Sequence, residues 1–194
     1  MPAPTRTSRD AIVQAARVLL EQQGLDAVVM NAVAERVGVR GPSLYKHVAD
    51  RAALIRAVGD VVTDELRATM AKAMAGDDPA ADLRALAFAY RAFVRANPNG
   101  YGLLFAHLEP DLQADPTAVA ELGRPIVAAV ARLIGDEGPA ALEAGRTLVA
   151  WAHGFVSMEL AGGFRLGGDL DAAYATGIDL ILAGISGRAS PVSG

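Results

Sequence analysis

Arg40, Ser43, Tyr45, Lys46 and His47 fall in one short stretch and offer a guanidinium, a hydroxyl, a phenol, an ammonium and an imidazole. Their common property is hydrogen-bond donation, the chemistry that meets phosphate oxygens and the edges of nucleic-acid bases. A helix turns about 100° per residue. If a helix runs from about Arg40 to Val48 with Leu44 and Val48 anchored inward, then Pro42, Ser43 and Lys46 face outward. Tyr45 and His47 fall on the two flanks, where they can reach phosphates on either side of a major groove about 12 Å wide. Arg40, at the helix start, can reach a base edge or a phosphate. Taken alone, Tyr45 and His47 would also suit any amphipathic surface, so the elements around them matter.

Those elements are legible in residues 24 to 51, GLDAVVMNAVAERVGVRGPSLYKHVADR, which predict two short helices meeting at a glycine turn, with a longer one following. The first would run from about Asn31 to Val37, with Val33 and Val37 on one face, and stop where Gly38 permits a positive backbone angle. Val39 would plug the angle between the pair. Pro42 is tolerable because first-turn N–H groups have no intrahelical partner. Upstream, Thr7 or Ser8 can cap a helix with Asp10 in its first turn and Ile12, Ala15, Ala16 and Leu19 as its buried stripe. Residues 1 to 7 read as a disordered arm, from which Arg6, together with Arg9, could lie along a minor groove or a phosphate. Downstream, a helix capped by Asp50 should run to about Ala75 with Leu54, Val58, Val61, Val62 and Leu66 on its apolar face. It spans from the N-terminal head into the body and is the natural lever between them.

At 194 residues the chain can bury a core in one or two small domains. Apolar residues recur three and four apart almost throughout, and Val28-Val29-Met30 is too short for a sheet, so the fold class is all-α. No cysteine is present, which excludes disulfides and thiolate metal sites and suits a reducing cytoplasm. The N-terminus has no apolar signal region. The most apolar long stretch, residues 147 to 163, carries His153 and Glu159, which argues against a membrane span. The net charge is −4, yet it is unevenly spread. Residues 1 to 56 hold eight Lys or Arg against five acids, a balance of +3, and the rest balances at −7. A basic head on an acidic body keeps a DNA reader from sticking by its wrong face.

Beyond Pro79 the punctuation predicts helices over about 80 to 96, 99 to 107, 116 to 134, 139 to 164 and 170 to 187, with a frayed tail after them. Glycines recur inside the last two, at Gly145, Gly154, Gly162, Gly177 and Gly184. Each costs about 1 kcal/mol relative to alanine in a helix interior, and close helix packing is the expected compensation.

The segment from about residue 8 to 56 resembles the DNA-binding domain of the tetracycline-repressor (TetR) family of transcriptional regulators. The likeness rests on an amphipathic first helix ending at Gly24, A-E-R-V-G-V at 34 to 39, S-L-Y-K-H at 43 to 47, Asp50-Arg51, and Leu54 opening the fourth helix. The stretch W-A-H-G at 151 to 154 and M-E-L-A-G-G at 158 to 163 resembles, more loosely, a C-terminal domain of one branch of that family. The resemblance implies an N-terminal three-helix helix-turn-helix domain over residues 1–56, a larger helical ligand-binding and dimerisation domain over 57–187, and a flexible tail over 188–194. It implies base contacts from Arg40, Gly41, Pro42 and Ser43, phosphate contacts from Tyr45, Lys46 and His47, and a basic phosphate clamp at Arg51. It also implies a homodimer joined through the last two helices, a double-stranded DNA operator, and a small-molecule effector of unknown identity that shifts the fourth helix and releases the operator. The sequence departs from the family pattern where Val29 replaces a capping threonine, leaving Asn31 as a substitute phosphate contact, where Gly41-Pro42 replaces a commoner lysine-glycine pair, and where Val48 replaces a phenylalanine.

Candidate lining for an effector pocket in the body includes Phe88, Phe93, Tyr101, Leu104, Phe105, His107, Trp151, Phe155 and Met158, although aromatic residues at helical spacing also simply pack as core. His107 and His153 lack the cluster of partners a metal site needs. No phosphate loop, dinucleotide glycine pattern, G-x-S-x-G nucleophile or carboxylate pair is present, so no cofactor and no enzymatic activity are expected. The expected function is a cytoplasmic repressor. The alternatives are an effector-independent DNA-binding regulator and a helical carrier or enzyme.

Overall fold

The computed structural model describes residues 8–105 and 109–187, and among these the regular structure is helical with no strand. Helix α1 (Arg9–Gln23) begins where Ser8 Oγ accepts a hydrogen bond from the Ala11 N–H at 3.1 Å. The alternative cap, Thr7, and the arm residue Arg6 lie outside the described residues. A 3₁₀ turn (Leu25–Ala27) leads into α2 (Met30–Arg36), which is followed after Val37 by Gly38 with φ of 72°. A short α3 (Gly41–Leu44) follows. Helix α4 (Arg51–Ala73) starts with Asp50 Oδ1 accepting from the Ala53 N–H at 2.7 Å. The rest comprises α5 (Pro79–Ala96), α6 (Pro98–Phe105), α7 (Pro116–Glu121), α8 (Arg124–Ile134), α9 (Pro139–Leu160) and α10 (Leu170–Ser186).

Two of these elements correct the sequence-based expectation. The single helix expected over 116 to 134 is two, because the chain turns at Gly123, whose N–H bonds to Ala120 O at 3.1 Å. Pro125 then takes a first-turn position of α8, where its missing N–H does no harm. The helix expected from about Arg40 to Val48 is a single turn ending at Leu44.

The chain divides into two compact units, one drawn from Met1–Glu65 with Asn97–Val119, the other from Leu66–Ala96 with Ala120–Gly194. Buried polar contacts hold the discontinuous first unit together. In the first unit the Arg17 guanidinium, almost wholly buried on α1, donates to Glu21 at 2.7 Å, to Asn97 Oδ1 at 2.6 Å and to Glu65 at 3.2 Å. Glu21 in turn accepts from the N–H groups of Asn99 and Gly100 at 3.0 and 3.1 Å, placing a carboxylate at the start of α6. A side chain at residue 100 would meet Arg17 Cζ at 3.1 Å. Arg56 donates to the Asp111 carbonyl, and Gly59 lies so close to Ala114 that a Cβ there would sit 2.9 Å from the alanine methyl. The core proper is Ile12, Val13, Ala16, Leu20, Val28, Val33, Leu44, Leu54, Val58 and Val62.

The second unit packs α5, α8, α9 and α10 against one another. Tyr174 is fully buried and donates to Ala87 O at 2.8 Å, with Phe88, Trp151 and Phe155 ringed around it at centroid distances of 5.7, 5.2 and 5.0 Å. Arg91 lies over the Tyr174 ring and pairs in fork geometry with Glu159 at 2.8 Å for both bonds, with Asp171 also at 2.8 Å. The glycines of α9 and α10 sort into different classes. Gly145 passes 3.1 Å from Val127, Gly177 lies under the Trp151 ring, and Gly162, with φ of 63°, sits beyond the end of α9. Gly154 and Gly184 face open space, with no atom within 4 Å of an added Cβ.

Candidate nucleic-acid interface

Helices α2 and α3 are held by a small apolar wedge. Val33 and Leu44 have no exposed surface, Val48 has almost none, and the Val39 N–H closes the turn by bonding to Ala34 O at 2.9 Å. With Leu44 and Val48 buried, the residues before and between them are left at or near the surface. Arg40, Pro42, Tyr45, Lys46 and His47 are exposed, and Gly41 and Ser43 are half-exposed. Residues 45–47 continue as a turn, in which the N–H groups of His47 and Val48 both bond to Leu44 O at 2.9 and 3.0 Å. Tyr45 is 56% exposed, a large aromatic ring left out in solvent on a unit whose other large apolar groups are mostly covered. The outward set is confined to the eight residues 40–47.

The departures noted in the sequence have structural counterparts. Val29 is the N-cap of α2 and makes no side-chain cap bond. Asn31 is exposed in the first turn of α2, and a Cβ at residue 41 would lie 3.3 Å from its Oδ1, so glycine lets the start of α3 pass close beneath. Arg51, expected to clamp a phosphate, donates from Nε to Val28 O at 2.7 Å and from an NH2 nitrogen to Leu25 O at 2.9 Å. Sequence reasoning missed this because carbonyl acceptors carry no residue signature. On the same unit, Asp60 has its carboxyl pushed above the usual range, first by partial burial and then by the like charges of Asp115 and Asp64, with Arg9 and Arg56 opposing.

The residues expected to line an effector pocket are divided between the two units. In the first, Tyr101 is buried and its ring lies 4.8 Å from that of Phe105, while Leu104 and Phe105 are partly exposed. His107 lies outside the described residues. In the second, Trp151 and Phe155 belong to the packed ring cluster around Tyr174, and Met158 is about half exposed. Phe88 joins that cluster, and Phe93 is partly exposed. A separate cavity of about 420 Å³ opens within the second unit between the last turns of α4 and the face of α8, floored by Met70, Met74, Leu122 and Ala129. None of the expected pocket residues lines it. His153, on α9, has its imidazole held below the ordinary value by burial. No group of three or more potential metal ligands occurs among the described residues, and no helix there is long and apolar enough to cross a membrane.

Two family models match the chain. One, described as bacterial regulatory proteins of the tetR family, matches residues 12–58, and the other, described as a tetracyclin repressor-like C-terminal domain, matches residues 83–181. An uncharacterized HTH-type transcriptional regulator of Mycobacterium tuberculosis is 31% identical over 159 residues, covering 82% of this chain and 73% of that one. Among solved structures, a Rhodococcus protein of unknown function superposes with a TM-score of 0.79 at 26% identity, covering 96% of this chain and 99% of the other. A TetR of Acinetobacter baumannii, solved in complex with minocycline, superposes with a TM-score of 0.65 at 21% identity over 95% and 99% of the two chains, which speaks to the fold alone.

Proposed function

This chain belongs to the tetracycline-repressor family of transcriptional regulators, and from that premise we propose that it is a homodimeric repressor released from a palindromic operator by a small molecule. The observation that carries the DNA-binding half is the outward set on and just after α3, where Arg40, Pro42, Tyr45, Lys46 and His47 are exposed around the fixed points Leu44 and Val48. In this reading Arg40, Gly41, Pro42 and Ser43 meet base edges, and Tyr45, Lys46 and His47 meet phosphates. Arg51 serves the same interface through the carbonyls of Val28 and Leu25, to which its guanidinium donates. A cytoplasmic protein without enzymatic activity fits these assignments.

Dimerisation is supported by the outer faces of α9 and α10. Helix α9 exposes Leu142, Val149, Met158 and Leu160, and a stripe of small residues, Ala150, Gly154, Ser157 and Ala161, recurs four, three and four apart beside them. Helix α10 exposes Leu180, with Thr176, Ala183 and Gly184 around it. Apolar side chains beside small ones let two helices approach closely. The effector seat is supported by the cavity on α4 and α8, which is of the size small ligands occupy.

The test is a selection of genomic DNA fragments by the purified protein at two salt concentrations, repeated with Tyr45→Ala and Lys46→Ala. One palindromic site, lost in both variants, is the expected result. For Lys46→Ala the slope of log affinity against log salt should fall by about 0.9, the value for one phosphate contact. Retention of all fragments alike would refute the proposal.

A further inference from the structure

Helix α2 begins without the device that usually starts a helix. Its N-cap, Val29, is a hydrocarbon and accepts nothing from the first-turn N–H groups, where losing a side-chain cap typically costs about 1 kcal/mol. Yet α2 must present α3 at a fixed angle, because the outward set is useful only if both helices hold their orientation. The residues just before Val29 are fixed from elsewhere. Arg51, the first residue of α4, sends its planar fork to the carbonyls at both ends of the preceding turn, Nε to Val28 O at 2.7 Å and an NH2 nitrogen to Leu25 O at 2.9 Å. Leu25 O also accepts from the Val28 N–H at 3.1 Å, and the Val28 side chain is buried, so the anchored segment is a closed turn rather than a loose loop. Two parallel bonds from one rigid guanidinium fix direction as well as distance, which a lysine ammonium cannot do.

We propose that Arg51 is a positioning residue for the DNA-reading pair, standing in for the absent cap of α2 by holding the chain that enters it, and that this is its main contribution to operator affinity. The inference rests on the reading of α2 and α3 as the DNA-binding elements. It separates Arg51 from Lys46: one acts through the backbone that it orients, the other through its own charge on DNA.

The test uses the full chain and the operator fragment recovered in the selection above. Affinity, its salt slope and the thermal midpoint are measured for the wild type, Arg51→Lys, Arg51→Met, Val29→Thr and the Val29→Thr/Arg51→Lys pair. Arg51→Lys keeps the charge and loses the fork, so it should weaken binding roughly fivefold, much as Arg51→Met does, with the salt slope unchanged in both. Val29→Thr supplies a side-chain cap and should restore most of the affinity that Arg51→Lys loses. The proposal is overturned if Arg51→Lys binds like the wild type while Arg51→Met loses about 0.9 of slope, the mark of a direct phosphate contact. It is equally overturned if Val29→Thr fails to rescue, or if both Arg51 variants melt earlier but bind DNA unchanged below their midpoints. Failure of the DNA-binding reading itself looks different, since then the wild type selects no sequence.

Discussion

The three helical glycines Gly154, Gly177 and Gly184 make a sharp prediction because the same substitution should have opposite signs at different positions. An alanine in a helix interior is favoured over glycine by about 1 kcal/mol. At Gly177 that gain is outweighed: the new Cβ would lie 2.2 Å from Trp151 Cζ2 and 2.7 Å from Cη2, and the indole is itself packed against Tyr174 at 5.2 Å, so it cannot simply swing away. Overpacking of this kind costs about 1 to 3 kcal/mol, and Gly177→Ala should melt earlier at every protein concentration. Gly154 and Gly184 have no atom within 4 Å of an added Cβ, so the isolated subunit should gain the full helix-propensity term at each. If these faces are covered by a second copy, each methyl instead enters a close helix contact, and twofold symmetry repeats the effect in the partner. The Gly154→Ala/Gly184→Ala pair should then raise the dimer dissociation constant while making the dissociated subunit harder to unfold. Sedimentation equilibrium read beside thermal unfolding at two protein concentrations separates the terms. An unchanged dissociation constant with a higher melting point would place the dimer contact elsewhere and refute the argument.

Two further outcomes follow from buried and partly buried charge. Glu159→Gln leaves Arg91, 6% exposed, without its forked partner, and should cost toward the low end of about 3–5 kcal/mol in urea unfolding because Asp171 remains at 2.8 Å; a loss near zero would mean the pair is incidental to α5 and α9 packing. Asp60→Asn should stabilise the protein at neutral pH by less than about 1 kcal/mol. The folded carboxyl titrates above the unfolded value of 3.8, so folding binds the proton more tightly, and the wild type loses stability as pH rises through 3.8 to the folded value. The gap between wild type and variant should therefore open over that range and close below it, as thermal midpoints across pH would show; a gap independent of pH would contradict the assignment.

The all-helical fold and the outward set were legible because helix periodicity and a glycine turn are local signals. Leu44 and Val48 are four apart, and once both are inward the directions of Lys46 and Pro42 follow without knowledge of anything distant. The break at Gly123 was also written in the sequence, since a glycine shortly before Pro125 is a stop and a start, but the apolar spacing on both sides was strong enough to suggest one helix. The extent of the first compact unit was not legible. It depends on Arg17 meeting Asn97, eighty positions away, and on Glu21 receiving backbone N–H groups that any residue could offer. The same holds for Arg51, whose acceptors are carbonyls. For the recurring glycines the composition announced close packing, while only the three-dimensional arrangement distinguishes those filled from within, Gly145 and Gly177, from those left open, Gly154 and Gly184.

The Arg17 and Glu21 network bears on how such a regulator can be recombined. A reading head that ended at residue 56 could be exchanged between proteins as one contiguous cassette, carrying its operator preference to a new body. Here the compact unit that contains α1 to α3 is discontinuous, because Asn97, Asn99 and Gly100 complete the bonding of α1 from the far side of α5 in sequence. A chimera joined after α3 or within α4 would leave a buried guanidinium facing foreign side chains and the start of α6 without its carboxylate. A graft that also transplants residues 97–119 keeps those partners together, so on the proposed reading of residues 40–47, changing them in place disturbs less than swapping the domain whole.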